Sequence, residues 1–248
     1  LDLSNSRNCR PLTLNYCQFE KPLNLNHAQL SHLDLSGSLC PGLSCNGAVI
    51  HGETHLKNGF EAKGTVDFVN SKLYGTFNAS GGSFLSSGIG IENNALSLQL
   101  SHINNSIILS DGFKSDGIVN LHGTQCDLNL YCQGAYMINQ QQDQMGCALL
   151  CDNTTIKGNV DLGGKFSAIG GIWFRGTTIG GNIEAEQGSF HNFAPAGQSD
   201  AILVQNSHIN NTINLQHATM IGRLTLQNSF IKGDVNGSYI SINNKIAN

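Results

Sequence analysis

An aromatic ring close to a guanidinium group is the strongest binding feature of this sequence. Trp173 is the one tryptophan of the chain, and Arg175 follows two positions later. Their neighbours Ile172 and Phe174 are apolar, so in an extended segment Trp173 and Arg175 lie on the opposite, outward face. Both residue types are enriched at the energetic centres of protein interfaces. The pair is a candidate contact site, and the alternative is that a neighbouring loop or a further domain covers the indole.

Two stretches without regular apolar spacing hold the other candidate binding residues. Residues 137–146 contain a run of amides with one carboxylate, and residues 191–200 contain an isolated phenylalanine. Insertions in a repetitive fold map to loops on one face, which is often the binding face. We therefore expect a protein or glycan partner to contact one face and these two loops. The residues that we single out in or beside them are Tyr136, Gln141, Asp143 and Phe193.

The eight cysteines allow two interpretations. Cys17 and Cys40 are about one coil apart, so an oxidising compartment would let them form a disulfide. The interpretation that we favour places Cys9, Cys17 and Cys126 inward as small apolar residues. Zinc at Cys147-x-x-x-Cys151, with Cys126 or Cys132 added, lacks the C-x-x-C spacing of structural zinc sites. We expect no metal site.

Histidines and carboxylates give a weak signal for catalysis. His51 and His55 have the spacing of a helical metal motif, but the surrounding pattern is not helical. Asp34, Asp67 and Asp161 each lie between two apolar positions and therefore face outward, as do Glu184 and Glu186. A glycoside-cleaving enzyme needs two carboxylates at a defined separation, which a sequence does not give. No phosphate loop, nucleophile elbow or H-E-x-x-H motif is present, so we expect no cofactor.

The elements that must position these residues come from a repeat. Residues 207–237, written in rows of eleven, align with themselves: Ile209, Met220 and Ile231 form one column, and Ile213, Leu224 and Val235 form another. Apolar residues pair at a spacing of two, which puts them on one face of an extended segment. The pairs are separated by too few residues for a helix. This pattern predicts an all-β fold: a single-stranded parallel β-helix (solenoid) with coils of about 22 residues and irregular loop insertions.

The repeat is interrupted in four places. The breaks centre near residues 42, 88, 141 and 196, roughly two coils apart. The first contains Pro41-Gly42, a turn signal. We expect all four breaks to lie on one side of the solenoid.

Composition limits the classes of partner. Apolar residues make up 40% of the chain and charged residues 12%, and the net charge is −4. We therefore expect no nucleic-acid surface, and no run of 18 apolar residues marks a membrane span. Because the repeat runs to both ends, we expect residues 1–248 to be a single β-solenoid and a fragment of a longer chain.

The repeat resembles that of bacterial pentapeptide-repeat proteins, and in particular those with an L-x-L-x-x-A-x-F/I-x-G unit. Leu23-x-Leu25-x-x-Ala28-x-Leu30 and Leu224-x-Leu226-x-x-Ser229-x-Ile231 carry the resemblance. It implies a bacterial β-solenoid without catalytic residues. We expect a non-catalytic binding or interaction scaffold, with a secreted bacterial protein slightly favoured. The alternative is a carbohydrate-active enzyme on a β-helix face. A third hypothesis, a nucleic-acid mimic, requires a denser acidic surface than this charge provides.

Overall fold

The chain forms a parallel β-helix. A computed structural model describes residues 1–7, 9–86, 93–139, 146–193 and 199–243. In these residues, 37 short strands form four sheets in which every strand pair is parallel. One sheet has ten strands and the other three have nine each. Each coil contributes one strand to each sheet in turn, so the predicted fold class is confirmed.

We number the sheets as faces I to IV in the order in which a coil passes through them, beginning with the sheet that contains β2. Face I contains β2 (Leu23–Asn24), β6 (Leu43–Ser44), β10 (Val66–Asp67), β14 (Asn94–Ser97), β18 (Ile118–Asn120), β22 (Cys147–Leu150), β26 (Gly171–Arg175), β30 (Asp200–Gln205) and β34 (Arg223–Gln227). Face II contains β3 (Gln29–Leu30), β7 (Val49–Ile50), β11 (Lys72–Leu73), β15 (His102–Ile103), β19 (Gln125–Cys126), β23 (Thr155–Ile156), β27 (Thr178–Ile179), β31 (His208–Ile209) and β35 (Phe230–Ile231).

The other two faces complete each coil. Face III contains β1 (Pro11–Thr13), β4 (His32–Asp34), β8 (Thr54–His55), β12 (Phe77–Asn78), β16 (Ile107–Ile108), β20 (Leu130–Tyr131), β24 (Val160–Asp161), β28 (Ile183–Glu184), β32 (Ile213–Asn214) and β36 (Val235–Asn236). Face IV contains β5 (Leu39–Cys40), β9 (Glu61–Ala62), β13 (Ser83–Leu85), β17 (Lys114–Asp116), β21 (Tyr136–Ile138), β25 (Ser167–Ile169), β29 (Ser189–His191), β33 (Thr219–Ile221) and β37 (Ser241–Asn243).

The corner between face I and face II is closed from inside by hydroxyl groups. The Thr124 hydroxyl donates a hydrogen bond of 2.7 Å to the carbonyl oxygen of Leu98 in the preceding coil. Equivalent buried hydroxyls occur along this corner, and each donates to a carbonyl of the coil before it: Ser71, Ser101, Thr124, Thr154, Thr177 and Ser207. A small polar side chain is therefore needed here because it both fits the bend and bonds adjacent coils.

The first coils are all short, and from residue 43 onward short and long coils alternate. Equivalent residues are 20 to 23 positions apart in short coils and 30 apart in long ones. The extra residues all lie between face IV and face I, at a corner that we call the loop corner. Its insertions leave after β13, β21 and β29 and return at β14, β22 and β30. All four predicted breaks therefore lie at this corner, because the break near residue 42 also falls between face IV (β5) and face I (β6).

The break near residue 42 differs from the other three because it is not an insertion. Face IV ends at Cys40 and face I resumes at Leu43, which is an ordinary short corner made by Pro41 and Gly42. The predicted loops 137–146 and 191–200 are too long at their ends. Residues 137–138 and 191 belong to strands of face IV, and residue 200 begins a strand of face I. Residues 140–145 and 194–198, like most of the break near 88, lie outside the described residues.

Packing under face IV repeats with the same two-coil period. Phe113 is fully buried in the position just before its strand, and Ser115 occupies the first inward position within it. In the next coil the large residue is Met137 and the small one is Ala135. Between residues 60 and 190 the large side chain thus changes position from coil to coil: Phe60, Phe84, Phe113, Met137, Phe166 and Phe190. In this part of the solenoid, the structural unit is a pair of coils, one short and one long.

At the loop corner, short coils have a glycine at positive φ where long coils have an additional, bulged alanine. Each insertion returns through a β-bulge that contains a fully buried alanine: Ala95, Ala148 and Ala201. Short coils cross the same corner with glycines at φ near +120°: Gly117, Gly170 and Gly222. A Cβ atom on Gly170 would lie 3.2 Å from the Cβ of Ala148 and 3.0 Å from its backbone nitrogen. Glycine is therefore required both for φ and for space.

Candidate functional site

Outward apolar residues line both sides of the loop corner. On face IV, the last outward position of successive strands is occupied by Leu85, Ile138, Ile169, His191 and Ile221, with Asp116 between the first two. On face I, a second cluster lies outside the core, and we call it the outer cluster. It consists of buried Ile118, Cys147 and Leu150, and partly buried Trp173 packs against it. The solenoid interior needs none of these side chains, because inward neighbours fill the core. They form an apolar rim on each side of the loop corner.

The Trp173 indole lies along face I. It packs against Ile118, Cys147 and Leu150, and its strand position is opposite Leu150. A Cβ on Gly171 would come within 2.3 Å of Nε1, so the ring extends over that glycine. Nε1 is buried and has no hydrogen-bond partner within the described part of the chain. The predicted outward direction is confirmed, and neighbouring coils cover part of the ring.

Arg175 is fixed by an ion pair and by the indole. Its Nε lies 3.0 and 2.8 Å from the two carboxylate oxygens of Asp152, and its Nη2 bonds the second of them. Its guanidinium carbon is 4.7 Å from the centroid of the Trp173 ring. Two strands further along face I, Arg223 forms a similar bidentate pair with Asp200. The Arg175 cation is therefore held against an aromatic surface on face I, at the end of β26 that leads to face II.

Asparagine side chains close the necks of two insertions. The Asn139 amide donates a 2.8 Å hydrogen bond to the Cys147 carbonyl oxygen, across the insertion that begins after it. Asn192 makes the equivalent 2.9 Å bond to the Asp200 carbonyl oxygen. Both asparagines are buried. Each insertion therefore leaves and re-enters the coil through a fixed base, which limits how far its ends can separate.

The remaining predicted site residues divide into three groups. Phe193 is 53% exposed at the loop corner, with its ring 6.0 Å from the His191 ring. Tyr136 is 38% exposed on face IV, but at the opposite end of its strand from the loop corner. Gln141 and Asp143 lie outside the described residues. Phe193 and the Trp173 indole therefore lie near the loop corner, whereas Tyr136 and Arg175 lie at the ends of their strands that are away from it.

An acidic cleft on face III and its corner with face IV was not predicted as a site. It encloses about 390 Å³ and is lined by Gln133, Asp161, Gly163, Gly164, Glu184, Glu186 and Gln187. Asp161 accepts hydrogen bonds from the Gln133 amide and, at 3.0 Å, from the Gly163 backbone. Glu184 accepts one of 3.1 Å from Asn214. The outward direction of these carboxylates was readable from the sequence, but their convergence depends on which coils are neighbours.

The cysteines are free thiols. Cys9 is exposed, Cys17 is half-buried, and the other six are buried. Cys126 is inward as predicted, but the inward placement predicted for Cys9 is wrong. Cys147 belongs to the outer cluster and Cys151 to the core, so the two face opposite sides of the strand and do not form a metal pair. Burial raises the pKa of the Cys126 thiol to about 11 and that of Cys147 to about 12.

Three comparisons of this chain with known proteins gave the same result. No protein family, no curated protein and no solved structure matches this chain. The fold confirms the β-solenoid that the resemblance to pentapeptide-repeat proteins implied. No family match supports membership of that family. Among the described residues, no helix has the length and apolar character needed to cross a membrane.

Proposed function

We propose that this chain is a non-catalytic scaffold that binds a protein partner at the loop corner. The observation that carries the proposal is the recurrence of insertions at one corner, once in every two coils, between two rows of outward apolar residues. Coils stack at about 4.8 Å, so successive insertions are about 10 Å apart along the axis. An extended partner that lies along the solenoid would meet several insertions at once.

The chemistry beside the loop corner favours a protein over a glycan. Ile138, Ile169 and Trp173 offer apolar contact, Arg223 at the start of β34 offers a cation paired with a carboxylate, and Arg175 offers a second one further along face I. Buried aromatic and arginine anchors surrounded by polar groups are typical of protein interfaces. As part of this proposal we retain the bacterial, pentapeptide-like origin that the repeat suggests, with secretion as the favoured setting.

Site-specific photocrosslinking tests the location of the partner. A benzophenone amino acid is placed at Phe193, and at Tyr74 in a matched control. The two side chains are similarly exposed, at 53% and 48%, but Tyr74 follows a strand of face II. In cells of the source organism we expect a discrete crosslinked protein at position 193 and none at 74. Equal crosslinking at both positions, or crosslinking at 74 alone, would contradict the proposal.

A substitution pair tests the indole. Trp173→Ala removes the ring that covers the outer cluster, and we expect it to weaken binding of the crosslinked partner by about tenfold or more. Trp173→Phe keeps an apolar ring at the same place and is expected to recover most of the affinity. If both variants bind as the natural chain does, the indole lies outside the interface.

A second candidate function rests on the acidic cleft. Asp161, Glu184 and the Gln133 amide converge there, and carboxylates with amides are groups that bond sugar hydroxyls. The carbohydrate-active enzyme proposed as the alternative would use this cleft. Incubation with a panel of polysaccharides, with Glu184→Gln and Asp161→Asn as paired variants, distinguishes the two: release of reducing ends that both variants abolish would favour the enzyme over the scaffold.

A further inference from the structure

Two histidines and an aspartate converge on face III, away from both faces that flank the loop corner. His32 and Asp34 are two positions apart on β4, so both point outward while Leu33 is buried between them. His55 lies on the adjacent strand β8, directly opposite Asp34. Residues 21 positions apart in the chain are thereby brought side by side. The sequence did not reveal this, because the pairing depends on a short coil separating the two strands.

The ligand-capable atoms of these residues are close to one another. His55 Nδ1 is 3.8 Å from Asp34 Oδ2, and one such atom from each of the three residues lies within 4.8 Å of the others. The His32 and His55 rings meet edge to face with centroids 5.1 Å apart. Tetrahedral zinc with bonds near 2.0–2.2 Å holds its ligand atoms roughly 3.3 Å apart. Movements of about 1 Å at the ends of half-exposed side chains are enough to reach that spacing.

The carboxylate is oriented by the chain around it. Asp34 Oδ1 accepts hydrogen bonds from the Ser36 backbone nitrogen at 2.9 Å and from the Ser36 hydroxyl at 2.6 Å. Oδ2 faces His55 and has a longer contact of 3.3 Å with the Asn15 amide. One oxygen is thus committed to the backbone and the other remains directed at the histidines. This division is how supporting residues orient a metal-binding carboxylate.

We propose that His32, Asp34 and His55 form a binding site for a divalent transition metal, with zinc as the best fit. Two imidazole nitrogens and one carboxylate oxygen supply three ligands, and water supplies the fourth. The bound metal joins two neighbouring coils on face III and thereby stabilises the solenoid by ligand linkage.

Zinc titration tests the site. The chain is used without any affinity tag, treated with chelator, and carries Cys9→Ser and Cys17→Ser so that the two accessible thiols do not bind zinc. Competition with a chromophoric chelator is expected to show one tight equivalent. His55→Gln and His32→Gln should each lower the affinity at least 100-fold, and Ser36→Ala should lower it by about tenfold.

Two variants provide matched controls. His51→Gln removes an exposed histidine that stacks on Tyr74, at 5.3 Å between centroids. His102→Gln removes a histidine that is paired with Asp127 but, in the part of the chain that the structure describes, is not grouped with a second histidine. Both should bind zinc as the parent does. Zinc should raise the Tm of the parent and of these two controls, but not that of the His32 and His55 variants. Cobalt should give the visible spectrum of a four-coordinate site in the same proteins. Absence of a tight equivalent, or equal loss in His51→Gln and His55→Gln, would overturn the proposal.

Discussion

Two corners of the same coils are built in opposite ways. Between face I and face II, short and long coils alike turn on a buried serine or threonine whose hydroxyl bonds the coil before it. At the loop corner, short coils turn on glycine, and long coils leave through an insertion and return through an alanine bulge. The first corner has bonds between coils that an insertion would break. The second has a geometry that alternates, and it therefore accommodates variable loops while the core beneath stays continuous.

The largest loss of stability is expected from a substitution in the packing that distinguishes short from long coils. Phe113→Ala deletes a fully buried ring that lies 5.1 Å, centroid to centroid, from Phe84. We expect a loss of about 3–5 kcal/mol in the free energy of unfolding, measured by chemical denaturation. Adding Ser115→Phe should not restore stability, because Phe84 and Met137 already fill that column in the coils before and after. Full recovery in the double variant would show that the two-coil alternation is unimportant.

The next effect concerns glycine at the loop corner. Gly117 has φ of +119°, and a Cβ there would lie 2.7 Å from the Asn93 carbonyl oxygen and 2.8 Å from the Ser86 Cβ. Gly117→Val should cost about 2–3 kcal/mol of unfolding free energy. The control is Gly59→Asn, since Gly59 also has positive φ, and no atom of the described residues lies within 4 Å of the position that its Cβ would occupy. That variant should stay within about 0.5 kcal/mol of the parent.

A smaller effect is expected at the closed corner. Thr124→Val keeps the shape of the side chain and removes the hydrogen bond to the Leu98 carbonyl oxygen. The expected cost is about 1 kcal/mol. Thr178→Val, at an exposed position of face II, serves as the matched substitution and should change stability by less than about 0.5 kcal/mol. Equal effects of the two substitutions would mean that the hydroxyl bond between coils contributes nothing measurable.

Thiol labelling separates opening of the loop corner from opening of the core. Cys147 is buried in the outer cluster, whereas Cys132 and Cys151 are buried inside the solenoid. Burial raises the pKa of the Cys147 thiol to about 12, so labelling near neutral pH requires local exposure first. Under native conditions Cys147 should react faster than the two core thiols and slower than exposed Cys9. Identical rates for Cys147 and Cys151 would indicate that the loop corner opens only when the whole solenoid unfolds.

Much of the fold was readable from the sequence, for a local reason. Pairs such as Leu23-x-Leu25 place their side chains on the same side of a strand, and the short gaps between pairs exclude helices, so the solenoid and its short coil length follow directly. The two-coil unit was not predicted because the residues that mark it are far apart in the sequence. Phe60, Phe113 and Phe166 recur at the spacing of one short plus one long coil, but each occupies an ordinary apolar position when taken alone.

The site was less predictable because it depends on register. The outward direction of Trp173 follows from its two apolar neighbours, and the structure agrees. The contact of the indole with Ile118 and Leu150 depends on how many residues each intervening coil contains. The same holds for His32, Asp34 and His55, since a coil two residues longer would shift His55 away from Asp34. Local spacing determines which way a side chain points, and coil length determines what it meets.

Excision of one insertion tests the central claim most directly. Residues 192–201 are replaced by Gly-Asp, so that the chain passes from His191 to Ile202 in the way that Gly222 and Arg223 connect Ile221 to Leu224 in a short coil. The account predicts a folded solenoid whose unfolding free energy lies within about 1–2 kcal/mol of the parent and which no longer holds the crosslinked partner. A variant that fails to fold would contradict the separation of loop from solenoid, and one that folds and still binds would contradict the assignment of the loop corner as the binding surface.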